Sequence, residues 1–338
     1  IDFINKGLYM KAVWYEKQGD ASEVLIYGEM EKPTPQNNEV LIKVHYSGLN
    51  PSDTKRRIGF RGQKHAFHSI IPHSDGSGII EAVGSNIDSK RIGERVWIYS
   101  AQWQRPFGTA ANFVCVPSNL AIRLEDSISL EIGATIGIPA LTAYAGMFKY
   151  TNPKNKTILI TGGAGSVGNC AIQMAKHAGA TVISSVSGDD KMKAALTAGA
   201  DHALRYDSRN FADDIMKITK GEKVDLIFDV ALGTNLETNL DIIKDHGIIS
   251  TYASDKKAIT EIPFQKFLLM NLTIYSVFMY LLSDKMMQNA LEFIKDWQIN
   301  SGIEPFIAKV YPLEGTAAAH LALESGKTIG NIIIDCRN

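Results

Sequence analysis

Residues 157–168 read TILITGGAGSVG, an apolar run followed at once by a glycine-rich turn. The run predicts a buried strand at 157–161 that leads through the turn into a helix. The turn contains the pattern G-x-G-x-x-G at Gly163, Gly165 and Gly168. In such a unit the first glycine makes the turn, the second lets the main chain approach a pyrophosphate, and the third lets the helix pack closely on the strand. The stretch therefore predicts the first unit of a dinucleotide-binding domain.

The main-chain amides at the start of the following helix are the groups expected to meet the phosphates. A helix N-terminus carries unsatisfied N–H groups and the positive end of the helix dipole, and both favour an anion. We expect the amides of Gly165, Ser166 and Val167 to point at the pyrophosphate, with Ala164 in the same loop. The alternative is a glycine-rich turn that binds nothing, and the complete strand–turn–helix context argues against it.

Strands and helices alternate strictly after this turn. Helices are predicted at 166–178, 189–198, 209–219 and 234–244, with strands at 181–186, 202–205, 224–230 and 247–252. Apolar strands that are each followed by a helix are typical of a parallel sheet covered on both faces. This part of the chain is therefore predicted to form a doubly wound α/β domain.

The chain before residue 130 has a different texture. Short strands broken by turns are predicted at 11–15, 39–46, 78–83, 95–99 and 111–116, which favours a compact β-barrel-like domain. A helix is expected over 130–150, where Ala, Ile and Leu predominate. Beyond residue 283 a helix at 285–298 and a strand at 330–335 depart from the alternating pattern, so this tail is expected to return to the first domain.

Composition limits the classes of function. The chain has 338 residues and a formal net charge of -1, which does not suit nucleic-acid binding. Cys115, Cys170 and Cys336 are widely separated and form neither a disulfide framework nor a metal-binding pair, so a reducing cytoplasm is expected. No segment has the length or apolarity of a membrane span. Residues 1–9 are expected to be an N-terminal extension or a cloning remnant.

The end of the second predicted strand indicates which dinucleotide binds. NAD-selective sites carry an Asp or Glu there, which accepts hydrogen bonds from the ribose 2′-hydroxyl. This chain instead has Ser187, with Lys191 one helical turn later, and both would attract a 2′-phosphate. The alternative is that Lys191 is an ordinary solvated charge, and neighbouring Asp189 and Asp190 reduce the positive field. The sequence predicts NADPH.

Several separate segments resemble one family. They are Gly48-Leu-Asn-Pro-Ser-Asp53, Asp75-Gly-Ser-Gly78, Glu81-Ala-Val-Gly84, Phe107-Gly-Thr-Ala-Ala111, Ile138-Pro-Ala-Leu-Thr-Ala-Tyr144, the glycine pattern, Ala198-Gly-Ala-Asp-His202 and Gly326-Lys-Thr328. In this order and spacing the chain resembles the zinc-independent, zeta-crystallin-like quinone oxidoreductases of the medium-chain dehydrogenase/reductase superfamily. The resemblance implies a GroES-like domain at 10–133 and 283–338 and a Rossmann domain at 134–282, with the active site between them.

The resemblance also implies that no metal is bound. In zinc-dependent relatives a Cys stands where this chain has Asn50, and a Gly-His-Glu segment stands where it has His73-Ser74-Asp75. Zinc prefers Cys, His and carboxylate ligands, so Asn50 and Ser74 are poor replacements. Three histidines lie close together in sequence, and we interpret them as loop residues: His65, His68 and His73.

Site residues are carried over from the family position by position. Thr142 is expected near the nicotinamide, and Asn50, Asp53, Lys55 and Thr142 are the predicted catalytic group. Many relatives have Tyr in place of Lys55. The Lys55 ammonium would pair with a cofactor phosphate, donate to a developing oxyanion or remain solvated. The resemblance places Ser187, Lys191 and Tyr206 around the 2′-phosphate. It places Tyr252, Ala253, Ser254, Phe278 and Met279 along the path from adenosine to nicotinamide. Trp103 and Phe60 are candidates for an apolar acceptor pocket, although aromatic residues in such domains are more often core.

Without a metal to polarise a carbonyl, the expected acceptors are quinones and activated enones, which take hydride without strong Lewis-acid help. One alternative is an enoyl-thioester reductase on the same scaffold, and another is a structural or RNA-binding role. The lysine at position 55 counts against the first, and the neutral charge counts against RNA. An apolar strand at 272–278 is expected to pair with a second copy, which predicts a homodimer.

Overall fold

A computed structural model describes residues 8–62, 64, 66–253, 259–300 and 304–338. It divides the chain into two compact units. The first contains the chain up to Ile138 together with Ile307–Asn338, and the second is Pro139–Phe306. Among the described residues, no helix is long and apolar enough to cross a bilayer.

The strands, in chain order, are β1 (Tyr9–Trp14), β2 (Ile26–Glu31), β3 (Glu39–Leu49), β4 (Asp75–Val83), β5 (Arg95–Ile98), β6 (Phe113–Pro117), β7 (Ala121–Arg123), β8 (Thr157–Thr161), β9 (Thr181–Val186), β10 (His202–Arg205), β11 (Val224–Asp229), β12 (Ile243–Thr251), β13 (Thr273–Ser276), β14 (Ile307–Pro312) and β15 (Asn331–Asp335). The α-helices are α1 (Ala21–Val24), α2 (Pro51–Ile58), α3 (Leu130–Gly133), α4 (Gly137–Phe148), α5 (Ser166–His177), α6 (Asp189–Thr197), α7 (Phe211–Ile218), α8 (Leu232–Ile242), α9 (Phe264–Leu269), α10 (Asp284–Asn300) and α11 (Thr316–Glu324).

The first unit is built on a seven-stranded sheet. Its order is β14-β15-β3-β4-β5-β7, with β6 paired to β3. The long strand β3 is central because it pairs antiparallel with β4, β6 and β15. Alternate apolar side chains such as Val40, Ile42 and Val44 are fully buried and form one core with residues of β5, β6 and β15. All five strands predicted for this part of the chain are present, but β1 pairs with β2 in a separate two-stranded sheet. The last strand, β15, joins the seven-stranded sheet.

The second unit contains a six-stranded, wholly parallel sheet in the order β10-β9-β8-β11-β12-β13. Its inner strands carry continuous apolar runs, for example Ile158, Leu159 and Ile160, because helices cover both faces. From β8 the chain builds outward on one side to β10, then crosses to β11 on the other side. This reversal confirms the predicted doubly wound fold and creates a topological switch point beside β8.

The predicted single helix over 130–150 is wrong. The structure has the short helix α3, a break at 134–136, and then α4. The Ser129 side chain accepts a hydrogen bond from the Ile132 amide and caps α3. Pro139 explains the break. Proline has no amide hydrogen and fits only the first turn of a helix, so a new helix has to begin just before it.

The return of the chain to the first unit comes later than the predicted residue 283. Helix α10 lies in the second unit, and the chain re-enters the first unit at Ile307. The reason is its apolar face, which carries the buried residues Ile294 and Trp297. The Phe293 ring also packs against Tyr144, with ring centroids 5.3 Å apart. The period of this helix was visible in the sequence, but its packing partner was not.

Candidate functional site

The predicted cofactor residues gather at one edge of the parallel sheet. The glycine loop follows β8, Ser187 follows β9, and Tyr206 follows β10. Tyr252 and Ala253 follow β12, whereas Phe278 and Met279 lie shortly after β13. Because all six strands are parallel, their carboxyl ends meet at the same edge. In doubly wound sheets this edge, at the switch point, is where ligands bind.

The glycine loop uses its glycines differently from the prediction. Gly162, outside the motif, makes the turn with φ 70°, a left-handed conformation that favours glycine. Gly163 is required by packing instead, because a Cβ there would overlap Ser184 Oγ and lie 2.8 Å from Ile172 Cδ1. Gly168 has the predicted packing role, since its Cβ would lie 2.8 Å from Gly163 Cα and would overlap the Gly162 carbonyl.

Gly165 is the glycine that faces open space. It has φ −84°, and the nearest atom to a Cβ placed there is the Gly162 carbonyl oxygen at 3.4 Å. Its own amide donates to that carbonyl over 2.9 Å, so this amide closes the turn and does not point outward as predicted. The first main-chain hydrogen bond of α5 runs from the Asn169 amide to the Gly165 carbonyl. The amides of residues 166–168 come before this bond and have no acceptor within the helix.

Three residues predicted to recognise a 2′-phosphate lie together. Lys191 Nζ donates to Ser187 Oγ over 3.0 Å. The Tyr206 amide donates to the Val186 carbonyl over 3.1 Å, which brings the ends of β9 and β10 side by side. The Tyr206 side chain is 56% exposed. This corner therefore presents a hydroxyl and an ammonium directly beyond the end of β9, and the exposed Tyr206 stands at the adjacent end of β10.

The other predicted cofactor contacts have mixed environments. Tyr252 stacks on Phe228 with ring centroids 4.5 Å apart. The Phe278 side chain is 52% exposed, whereas Met279 and Thr142 are buried. Ala253 is partly exposed. Ser254 lies outside the described residues.

Asp229 is a polar residue of this edge that sequence reasoning missed. Its carboxylate is fully buried at the end of β11 and accepts from the Ala231 amide over 2.6 Å and from Asn235 over 3.0 Å. Asn239 donates to the same carboxylate, and the Thr161 hydroxyl lies 3.3 Å from it. These bonds tie the end of β8 to that of β11. An Asp closing the apolar strand VDLIFD was the available signal.

In the first unit, Asn50 links two buried carboxyl groups. Its main-chain amide donates to Asp53 Oδ2 over 2.8 Å at the start of α2, and its side-chain Nδ2 donates to Asp75 Oδ2 over 2.8 Å. Burial raises the pKa of Asp53 to about 7 and raises the pKa of Asp75 well above its usual range. Asp75 Oδ2 also accepts from the Ile138 amide over 2.8 Å.

Asp75 was used for the family resemblance but was not predicted as a site residue. Asp75 packs against the start of α4, where a side chain at Gly137 would overlap its carboxyl group, so this position requires glycine. The Asp75 Oδ1 atom is buried and forms no hydrogen bond in the described structure. The signal in the sequence was a charged residue at the start of an otherwise apolar strand.

Lys55 lies on α2, like Asp53, and its ammonium is 5.2 Å from the centroid of the Phe60 ring. The neighbouring Arg56 guanidinium lies 5.3 Å from the Trp103 ring. Both aromatic rings are only partly buried, so neither belongs to the core. The two cation–aromatic pairs flank the C-terminal end of α2.

The three histidines differ in environment. His68 is exposed and hydrogen-bonds the adjacent Ser69, whereas His65 lies outside the described residues. His73 lies in a loop before β4, as interpreted, but it is fully buried between Ser47 and His320. Over the ranges that the structure describes, no three His, Cys, Asp or Glu side chains converge as a set of metal ligands.

Two family models match separate parts of the chain. Residues 36–126 match the family described as alcohol dehydrogenase GroES-like domain. Residues 166–296 match the family described as zinc-binding dehydrogenase.

Known proteins resemble the chain over nearly its full length. The quinone oxidoreductase of Rattus norvegicus is 28% identical over 96% of this chain and 97% of the relative. A 2-methylene-furan-3-one reductase of Solanum lycopersicum is 26% identical over 96% of this chain and 79% of the relative. The structure of Escherichia coli quinone oxidoreductase complexed with NADPH superposes with a TM-score of 0.83 at 25% identity, covering 96% of this chain and 99% of that one.

Proposed function

Because the chain belongs to the medium-chain dehydrogenase/reductase superfamily, in its zinc-independent quinone oxidoreductase branch, we propose that it reduces quinones or activated enones with NADPH. The observation that supports NADPH as the cofactor is the Ser187–Lys191 pair beyond β9. An NAD-selective site would have a carboxylate at this position. The quinone oxidoreductase relatives and the NADPH complex of one of them support the same reading.

The residues present fit a dinucleotide phosphate. At Gly165 the space that a Cβ would enter is open, at the N-terminus of α5, where a phosphate can approach the main chain. The amides of Ser166 and Val167 would hold the pyrophosphate, with Gly163, Ala164 and Gly168 shaping the loop. Ser187, Lys191 and Tyr206 would hold the 2′-phosphate. Tyr252, Ala253, Ser254, Phe278 and Met279 are proposed to line the remaining path.

NADPH, when bound, supplies a hydride, and the protein's own groups bind and orient the reactants. The Thr142 hydroxyl is proposed to orient the nicotinamide. The Lys55 ammonium is proposed to donate to the oxygen on which negative charge develops, as electrostatic stabilisation requires. Asn50 is held by Asp53 and Asp75, and it is proposed to face the acceptor with a fixed orientation.

The residues at the positions where zinc-dependent relatives have metal ligands determine the acceptor class. Asn50 and Ser74 offer an amide and a hydroxyl where zinc would require stronger ligands. Hydride must therefore pass to an acceptor that is already electrophilic, which quinones and activated enones are. The relative that is named for reduction of a methylene-furanone supports the enone part of this range.

The test is oxidation of NADPH by the purified protein, followed by loss of nicotinamide absorbance with matched series of quinones, enones, enoyl thioesters and simple aldehydes. We expect turnover with quinones or enones and little with aldehydes. Turnover confined to enoyl thioesters would replace the proposal by the thioester reductase alternative. Absence of turnover with every acceptor, despite tight NADPH binding, would favour a non-enzymatic role.

The proposal also includes a homodimer and a cytoplasmic location. Strand β13 is at the edge of the parallel sheet, and the exposed apolar residues Phe264, Leu268 and Leu269 lie just before it. This edge is proposed to pair with a second copy as a homodimer, which light scattering would test. All three cysteines are buried and free, which supports the reducing cytoplasm.

A further inference from the structure

A line of hydrogen-bonded polar side chains crosses the interior of the first unit. It runs from Arg57 through His320, His73, Ser47 and Thr109 to the main-chain carbonyl of Asp75, and we call it the buried polar chain. Each of these five side chains belongs to a residue that is fully buried. The links measure 3.3 Å from Arg57 to His320, 2.9 Å between the histidines, 2.7 Å from His73 to Ser47 and 2.7 Å from Ser47 to Thr109. Thr109 then donates to Asp75.

Arg57 determines the direction of every bond in the buried polar chain, and the Asp75 carbonyl at the other end, which can only accept, requires the same direction. The Arg57 Nε–H can only donate, so His320 Nδ1 must accept and a neutral His320 carries its proton on Nε2. That proton is donated to His73 Nε2, which leaves the His73 proton on Nδ1. The two imidazole planes differ by 21° and their centroids are 5.1 Å apart, which suits a bond between their edges.

The remaining links follow from this assignment. His73 Nδ1–H donates to Ser47, the Ser47 hydroxyl donates to Thr109, and the Thr109 hydroxyl donates to the Asp75 carbonyl. Both imidazoles must be neutral, because a further proton would set two N–H groups against each other. Burial favours the neutral form and lowers the pKa of His73 to about 3.

His73 occupies a backbone conformation that disfavours its side chain. Its φ is 77°, in the left-handed region, at the position where zinc-dependent relatives have Gly. Such conformations persist only where the surroundings over-determine them, and they concentrate at functional sites. A glycine would relax the backbone here but would leave His320 and Ser47 without the imidazole that connects them.

The Thr109 end of the buried polar chain reaches the predicted active site. Thr109 holds the main chain of Asp75, and the Asp75 side chain binds Asn50 Nδ2. The Thr109 amide also donates to the His73 carbonyl over 3.0 Å, so the two segments are joined twice. Movement of Asp75 would therefore release the Asn50 side chain.

We propose that Arg57 fixes His320 as the Nε2–H tautomer and His73 as the Nδ1–H tautomer, and that the buried polar chain thereby positions Asp75 and Asn50 for hydride transfer. The five side chains are positioning residues and do not touch the acceptor. The second half of the proposal rests on the proposed function, in which Asn50 faces the acceptor.

The buried polar chain does not carry protons to the active site. A relay from solvent would start at Glu324, whose side chain is 28% exposed and is ion-paired to Arg57. Arginine does not release its proton in proteins, so no proton can pass from Glu324 to His320 through Arg57. The arginine acts as a fixed donor, and the ion pair offsets the cost of burying its charge.

The tautomers can be read without any activity measurement. We expect nitrogen NMR of the full-length protein, labelled at histidine, to show the His320 proton on Nε2 and the His73 proton on Nδ1 at neutral pH. The same pattern should persist in Thr109→Val, because Arg57 lies at the other end of the chain. A His73 proton on Nε2, or a cationic imidazole at either position, would overturn the assignment.

Thr109→Val and Thr109→Ser form a matched pair for the positioning role. The first keeps the shape and removes the hydroxyl, whereas the second keeps the hydroxyl and removes the methyl group that lies against Gly76. We expect Thr109→Val to lower kcat about tenfold with the dissociation constant of NADPH unchanged, and Thr109→Ser to retain kcat within about threefold. Hydrogen exchange of the Asn50 side-chain amide should accelerate only in Thr109→Val.

The outcomes separate this proposal from the proposed function. If wild-type protein reduces no acceptor, the proposed function fails, and the tautomers and the Asn50 exchange rates still decide the structural role. If Thr109→Val keeps full kcat and Asn50 exchange is unchanged, the positioning role is refuted while the enzyme assignment stands. Equal loss in both variants, parallel to a lower melting temperature, would indicate a role in stability alone and would likewise refute it.

Discussion

The Lys191 ammonium donates to the Ser187 hydroxyl over 3.0 Å, immediately beyond the end of β9. The pair places a positive charge where NAD-selective relatives of the fold have a carboxylate. Lys191→Ala should therefore weaken NADPH binding and leave NADH binding nearly unchanged. The gap between the two cofactors should narrow by about 1–2 kcal/mol, the value of a partly exposed charge-assisted hydrogen bond.

Titration of each cofactor against wild-type and variant protein measures this gap. Lys193→Ala is the matched control, because Lys193 lies on the same helix with a side chain that is 79% exposed and pairs with Asp190. Equal affinity of the wild-type protein for both cofactors would contradict the NADPH assignment. An equal effect of both substitutions would mean that general charge, and not the Ser187–Lys191 pair, is responsible.

Activity should survive exhaustive chelation. Asn50 donates hydrogen bonds to two carboxyl groups, one from its main-chain amide and one from its side-chain amide. Asn50 and Ser74 occupy positions where zinc-dependent relatives have metal ligands. Metal analysis of active protein should find no stoichiometric zinc, and turnover before and after chelation should be equal. Loss of turnover that added zinc restores would overturn the zinc-independent mechanism.

The local features of the site were predictable from sequence, whereas its long-range contacts were not. The glycine loop and the Ser187–Lys191 pair each lie within one strand–turn–helix unit, so spacing alone indicates their neighbourhood. His73 and His320 are 247 residues apart and meet only because β15 and α11 return to the first unit. Periodicity carries no information about such a contact.

The same limit applies to the glycines. The pattern identified the loop, but Gly162, outside the motif, takes the left-handed turn. Gly163 must be glycine because Ser184 from the neighbouring strand leaves no room for a Cβ. The pattern places three glycines at fixed spacing and does not say which atoms of adjacent strands approach them. Assignment of each role required the packing of β8 against β9.

Replacement of Asp53 should change how stability depends on pH. Burial raises the pKa of Asp53 to about 7 in the folded protein, from an ordinary value of 3.8. The unfolded chain therefore gives up this proton at lower pH than the folded chain does. The contribution of the group to stability falls as pH rises between these two values, by roughly 1.4 kcal/mol per pH unit at most.

Asp53→Asn keeps an oxygen that accepts from the Asn50 amide and cannot ionise. The melting temperature of Asp53→Asn should rise relative to wild type between about pH 4 and about pH 7, and the gap should level off above that range. Asp126→Asn, at a side chain that is 84% exposed, provides the control and should show a flat difference. A gap for Asp53→Asn that shrinks as pH rises would contradict the raised pKa.

Gly165 and Gly168 should respond oppositely to substitution. At Gly165 the backbone angles suit any residue and a Cβ meets only the Gly162 carbonyl at 3.4 Å, so Gly165→Val should lower the melting temperature only modestly. The added side chain would occupy the space where pyrophosphate meets the main chain, and the dissociation constant of NADPH should rise steeply.

At Gly168 a Cβ would overlap the Gly162 carbonyl and lie 2.8 Å from Gly163 Cα, so Gly168→Ala should instead destabilise the fold. Melting temperatures without ligand, measured beside NADPH titrations of the same preparations, separate the two effects. Gly165→Ala gives an intermediate step, because its smaller side chain should weaken binding less than valine does. A Gly165→Val protein that melts much earlier but binds NADPH normally would mean that the loop only turns the chain, and the cofactor assignment would then fail.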